Sequence, residues 1–194
     1  MHAFSRSLML MAALTPLPAA LAANAAADTT ADDFNTLFSS TCLPSFSDPA
    51  RVERYMESQG IAPLPDVAAE NFLHGAPGKA WAIVVNDANY AVSLTDVGLC
   101  SVYARKADTA ALATTFVRLM HGVPAPLQVT EVNALGPNRD GVHTRTWGMR
   151  VPDSTMSIAF TLTTSADPAV SVQAMASMAR VATQTLVPLP TPAR

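Results

Sequence analysis

Apart from His2 near the N-terminus, the histidines of the 194-residue chain are His74, His121 and His143, set 47 and 22 residues apart. A local metal motif needs pairs such as H-x3-H on one helical face, so this spacing gives no metal site. His121 falls in the last turn of an expected helix, where its cation complements the negative end of the helix dipole, and His74 stands before a glycine break. A nucleophilic serine of the hydrolase type needs a strained, glycine-flanked turn, and no G-x-S-x-G occurs. Asp32 and Asp33 are paired carboxylates, but they stand where a helix is expected to begin, and its positive end accounts for them better than general acid chemistry. There is no G-x-G-x-x-G and no phosphate loop. Accordingly no catalytic residue, cofactor or metal is assigned. A hydrolase would have to assemble its site from residues such as His143 and Asp140.

One segment carries an interaction chemistry instead. If Val142–Val151 is a strand, His143, Arg145, Trp147 and Met149 project to one side, with Val142, Thr144, Thr146 and Gly148 on the other. Turned to water, the first set is a possible binding patch of the aromatic and cationic kind found at interaction hot spots. Turned to helices, Trp147 and Met149 are core and Arg145 reaches out at the rim, which is the default for such residues.

Cys42 and Cys100 are the only cysteines. An even count beside an export leader reads as one disulfide. The leader is residues 1–27: Arg6, an apolar stretch from Leu8, then small residues that permit cleavage after Ala22, Ala25 or Ala27, the later two being favoured. Its apolar run is too short and too interrupted by Pro16 and Pro18 to span a bilayer, and no cysteine in it accepts a lipid. With 12 basic and 15 acidic side chains (net −3), the chain offers nothing for a phosphate backbone, and nucleic acid is not expected as a partner. Loss of Arg6 with the leader leaves 11 against 15, a net −4. Apolar residues at 49% and charged residues at 14% describe a folded domain, and the 15 prolines against 8 glycines imply many fixed turns.

The elements that must position these residues follow from periodicity. Thr29 and Thr30 before Asp32 and Asp33 resemble a helix start, and Phe34, Leu37, Phe38 and Thr41 share a face, giving a helix over about 31–41 that ends on Cys42. Asp48-Pro49 opens a second helix with Val52, Tyr55 and Met56 as its buried stripe and Gly60 as its stop. Asp66–Leu73 makes one or two further helical turns. Trp81–Val85 and Tyr90–Thr95 form a hairpin about Asp87-Ala88-Asn89, and Leu99–Lys106 adds a strand with Cys100, Val102 and Ala104 on one face and Tyr103 and Arg105 on the other. Asp108 or Thr109 caps a helix whose Leu112, Phe116, Leu119 and Met120 recur at helical spacing up to Gly122. Extended segments follow at 127–134, 142–151, 155–164 and 169–181. In the last, Ala, Met and Gln favour helix, while Val170 and Val172 after Asp167-Pro168 favour the return arm of a hairpin, and strand is preferred. Serines and threonines are expected mostly on the exposed phase of the strands. The sum is one α+β domain over 28–185, an antiparallel sheet of about six to seven strands with N-terminal helices and one central helix packed on one face, and a proline-rich loose tail at 186–194.

The arrangement Phe38…Cys42, a glycine turn into Trp81-Ala-Ile-Val, then Gly98-Leu-Cys100-Ser-Val and a helix, over about 34–120, resembles small uncharacterised exported proteins of proteobacteria. The resemblance implies an exported, disulfide-containing α+β domain and transfers no catalytic residue. Together with the missing catalytic signatures, the expectation is a periplasmic or secreted non-catalytic protein that binds another macromolecule, an envelope protein, as an accessory factor or inhibitor. The alternatives are an envelope hydrolase with a non-local site and a small-ligand-binding module.

Overall fold

The computed structural model describes residues 20–124, 126–132, 141–150, 154–182 and 186, with residues 20–29 described as backbone. In chain order the elements are α1 (Ala20–Ser45), α2 (Ala50–Ser58), α3 (Asp66–Leu73), β1 (Gly78–Val85), β2 (Ala88–Thr95), β3 (Cys100–Ala104), α4 (Thr109–His121), β4 (Gln128–Val132), β5 (Val142–Arg150), β6 (Met156–Ser165) and β7 (Ala174–Ala182). The seven strands make one sheet in the order β1-β2-β3-β7-β6-β5-β4, antiparallel at every pairing. It is two meanders, β1–β3 and β4–β7, joined where β7 lies against β3, with α4 as the connection between them. The fold is α+β.

Alternation divides the sheet into two faces. On the first, Trp81, Val92, Val102, Ala176 and Leu162 are cross-strand neighbours in one row. α1 and α4 lie over this face, with α2 against α1. Phe38 of α1 meets Phe116 of α4 edge-on at 5.3 Å and Phe160 of β6 at 6.4 Å, and Phe116 stands 5.5 Å from Trp147. Edge-to-face aromatic pairs of this kind add to the energy of burial. Thr41, wholly buried on the same helical face, donates to the Leu37 carbonyl at 2.6 Å, so its hydroxyl is not stranded in the core.

Local signals explain most boundaries. The Asp108 carboxylate accepts from the Ala110 and Ala111 amides at 3.0 Å and starts α4, which ends at His121. Asp48 accepts from the Ala50 amide at 3.1 Å ahead of α2. The first hairpin turns on Asn86 and Asp87, both left-handed (φ 48° and 64°), so Ala88 and Asn89 belong to β2 rather than to the loop expected there. A two-residue turn of this hand matches the strand twist, and Asn and Asp tolerate it.

Five expectations are corrected. The first helix is not 31–41 but runs from Ala20, across all three candidate cleavage positions, to Ser45, because the alanine-rich stretch before Thr29 propagates helix as well as the residues after it. Asp32 and Asp33 therefore lie within a helix and not at its start; the Asp33 carboxylate accepts from Asn86 at 3.0 Å. The helices do not share one face, because α3 packs Ala69 and Leu73 on Ala80, which points away from α1. Leu186, expected in the loose tail, is buried against Val132 and Ala159, over Gly148, while 187–194 lie outside the described residues. β7 is a strand, but it begins at Ala174, and Val170 and Val172, whose β-branching argued for it, lie in the loop before it.

Cys42 and Cys100 form a disulfide with Cα atoms 5.4 Å apart, both wholly buried. It pins the last turns of α1 to the start of β3 across 58 residues of chain. Closing a loop of that length in the unfolded state gives about 4 kcal/mol of stabilisation in the chain-entropy model. Urea denaturation of the Cys42→Ala/Cys100→Ala double variant is expected to show a loss of at least roughly that size, increased by the cavity that the two missing buried sulfur atoms leave.

Tyr90 gives a second check. Its hydroxyl donates to the Thr30 carbonyl at 3.1 Å, and burial, reinforced by the nearby Asp33 carboxylate, pushes its pKa from 10.0 up to about 12. A raised folded-state pKa contributes stability that is complete below the unfolded value and lost as pH climbs through the folded one. Melting temperature is expected to fall between about pH 10 and 12, and Tyr90→Phe to flatten that part of the profile.

Candidate functional site

The strand singled out for interaction chemistry is β5, and its bulky side faces the helices. Trp147 is 1% exposed and Met149 8%, both in the main core. Arg145 is at the rim, its guanidinium 4.9 Å from the centre of the Trp147 ring and bonded twice to Glu131 of β4, both at 2.8 Å. That paired bond holds the Glu131 carboxyl below its ordinary range against the opposing effect of burial, and raises Arg145 correspondingly. His143 is exposed at the start of the strand. The four residues thus do not form a solvent-facing patch: two are core, one is committed to a salt bridge, and one is left outside. The reason is positional, since α4 covers the phase of β5 on which they lie. Asp140 lies outside the described residues. No group of three His, Cys, Asp or Glu side chains placed to hold a metal occurs among the described residues.

Two adjoining hollows lie on the other face of the sheet. There the register lines up Ala82, Ala91, Tyr103, Met175, Thr163 and Thr144 across six strands. The adjacent row is Ala80, Ser93, Ser101, Ser177, Thr161 and Thr146. These hydroxyls were expected at the surface, yet Ser93, Ser101, Thr146 and Ser177 are buried. They pair among themselves: Ser101 with Ser177 at 2.8 Å, Ser93 with the Tyr103 hydroxyl at 3.3 Å, and Thr144 with Thr163 at 3.0 Å. Small hydroxyl side chains let the sheet stay flat-floored where larger ones would fill the space.

Over this floor stand two walls. One is the C-terminal turn of α3, which delivers Asn71 and Phe72 and ends in His74, left-handed at φ 51°. It is fixed by the Tyr103 hydroxyl, which donates to the Phe72 carbonyl at 2.9 Å, and by the Phe72 ring edge-on to Tyr103 at 5.1 Å. The other wall is the loop before β7, with Ser171 and Val172. That loop is tied down by the Gln173 amide, which donates to the Ala104 carbonyl at 3.0 Å, and by the Gln173 side-chain carbonyl, which accepts from the Ala107 amide at 3.0 Å. Between them lie two adjoining hollows of about 500 and 330 Å³ that share Asn71, Phe72, Tyr103, Ser171 and Val172. The larger is bounded beyond Tyr103 by Asn89 and Arg105.

The side chains of Asn89, Arg105 and Ser171 are exposed and make no hydrogen bond or ion pair among the described residues. The cleft therefore combines the Tyr103 and Phe72 rings, amide and hydroxyl groups and one unpaired cation, the mix of apolar surface and a few polar groups found at binding sites. Sequence reasoning placed Tyr103 and Arg105 together on the phase opposite Cys100 but did not connect them with Asn71, Phe72 or Ser171. Those three come from two segments that only the α3 placement and the β3–β7 pairing bring to one place.

The Ser101–Ser177 contact in the row beside the cleft is testable. Removing one partner strands the other, so Ser101→Ala and Ser177→Ala are each expected to cost about 1–3 kcal/mol, and the double variant less than the sum, read by chemical denaturation. Comparison with known proteins finds no matching family model, no matching curated protein and no matching solved structure.

Proposed function

We propose that the chain is an exported, non-catalytic protein of the periplasm or extracellular space that binds another protein of the cell envelope, as an accessory factor or inhibitor, through the cleft between α3 and the loop before β7. The leader pattern at 1–27 and the buried disulfide support export, because such bridges persist in oxidising compartments. No helix among the described residues is long and apolar enough to cross a membrane. The observation that carries the binding reading is the contrast inside one face of the sheet. The hydroxyls of the row beside the cleft are paired, Ser101 with Ser177 and Ser93 with Tyr103, whereas Arg105, Asn89 and Ser171 at its rim have no side-chain partner among the described residues. A partner fitting this surface offers an apolar side chain to Phe72 and Val172 and an acidic group to Arg105 and its neighbour Lys106.

At about 500 Å³ the larger hollow is also of the size that holds a small ligand. A ligand-induced rise in melting temperature, with no protein captured, would move the reading to a small-ligand module.

The test is capture of a stoichiometric partner from envelope extract, followed by titration with Arg105→Glu and with Arg51→Glu, an exposed arginine of α2 that undergoes the same charge change away from the cleft. Arg105→Glu is expected to weaken binding by about tenfold or more and Arg51→Glu to leave it unchanged. Equal effects of the two, or no partner at all, would count against the cleft.

A further inference from the structure

β1 is an edge of the sheet, paired with β2 on one side only. In an antiparallel ladder alternate residues turn their N–H and C=O groups toward the neighbour and away from it. Which residues of β1 turn away is fixed by one contact: the Ala80 carbonyl accepts from the Leu64 amide at 2.8 Å, outside the ladder. By alternation Ala82 and Val84 also direct both main-chain groups outward. Neither has a main-chain partner there among the described residues, and the extended stretch before α3 that covers Ala80 does not reach them.

The side chains give the same impression. Val84 is 68% exposed, the second most exposed strand or helix residue among the large apolar ones after Val67, and Ala82 beside it is exposed too. Natural edge strands are guarded by lysine, proline, a bulge or an inward charge. From Ala80 to Val85 the strand is Ala-Trp-Ala-Ile-Val-Val, with none of these, and it pairs with β2 without a break in register. Charge stands only at its two ends, Lys79 before the open part and Asp87 in the turn after it.

That pattern is self-complementary. A twofold axis through Ile83, with a second strand laid antiparallel, sets Ala82 opposite Val84 of the other copy, so that the outward groups of both make four main-chain hydrogen bonds. Ala82 and Val84 of the two copies meet on the face that carries the cleft, covering apolar surface that is otherwise wet. We propose that this edge is a self-association surface, through which two copies of the chain join their sheets β1 to β1 into one continuous antiparallel sheet. It is independent of the partner reading of the cleft, since none of these residues lines it.

The experiment is sedimentation equilibrium of the purified chain over a concentration series, for wild type, Val84→Lys and Val84→Pro. Proline is informative because the Val84 amide takes no part in the β1–β2 ladder, so the fold keeps its bonds while the association loses two. Circular dichroism and melting under dilute, monomeric conditions check that both variants fold. Wild type is expected to be a monomer–dimer equilibrium, with both variants raising the dissociation constant by about tenfold or more. A wild type that stays monomeric up to its solubility limit overturns the proposal and leaves the edge to a strand of a different protein. A dimer that both folded variants leave intact overturns it as well, placing association elsewhere.

Discussion

The burial of one sheet face beneath α1 is the constraint on which the rest of the molecule depends, and the Cys42–Cys100 bond is its fastening. α1 carries Phe34, Leu37 and Phe38 into the core, all nearly or wholly inaccessible to solvent. Its contacts reach β2, β3, β7 and α4, elements drawn from both meanders. With most of that face closed, the polar cleft lies on the opposite face, and the hollow left on the covered face, between the ends of α1 and α4, is lined by apolar residues such as Phe46, Leu119 and Phe160. This is why the bulky residues of β5 are structural and why the cleft forms against α3, on the face that carries Tyr103.

What could be read from the chain itself differs by element for physical reasons. α4 was legible because its cap, its apolar spacing and its glycine stop agree, and β6 because its alternation is unbroken from Met156 to Leu162. The disulfide was legible because there are only two cysteines to join. The N-terminal extent of α1 was not, since small residues that suit a processing site are also strong helix formers, and pattern alone does not separate the two uses. Nor was the buried state of Ser93, Ser101 and Ser177, because a serine facing water and a serine facing another serine leave the same mark in a sequence.

The cleft was the least legible feature of all. Its residues are single positions scattered over α3, β2, β3 and the loop before β7, each unremarkable in its own neighbourhood. Only Tyr103 and Arg105 stood together on one phase of one strand. The β5 residues that drew attention instead share the aromatic and cationic character of a hot spot, but chemistry alone does not say which side of a sheet a helix will cover. Arg145 shows the difference: one edge of its guanidinium is bonded twice to Glu131, which offsets its charge, whereas Arg105 has no such tie among the described residues.

The position of β7 bears on how the chain reaches this state. The last strand in sequence is the middle strand in space, holding β3 on one side and β6 on the other. An N-terminal three-strand unit and a C-terminal one therefore have no common hydrogen-bonded seam until residues 174–182 have emerged. Contacts of such long sequence separation form slowly. In a polypeptide made amino end first, the sheet is completed only after residues 174–182 have emerged, while both cysteines of the bridge are present some 74 residues earlier, counted from Cys100 to Ala174. Oxidation can thus precede assembly, with the clasp serving as a tether that waits for its centrepiece.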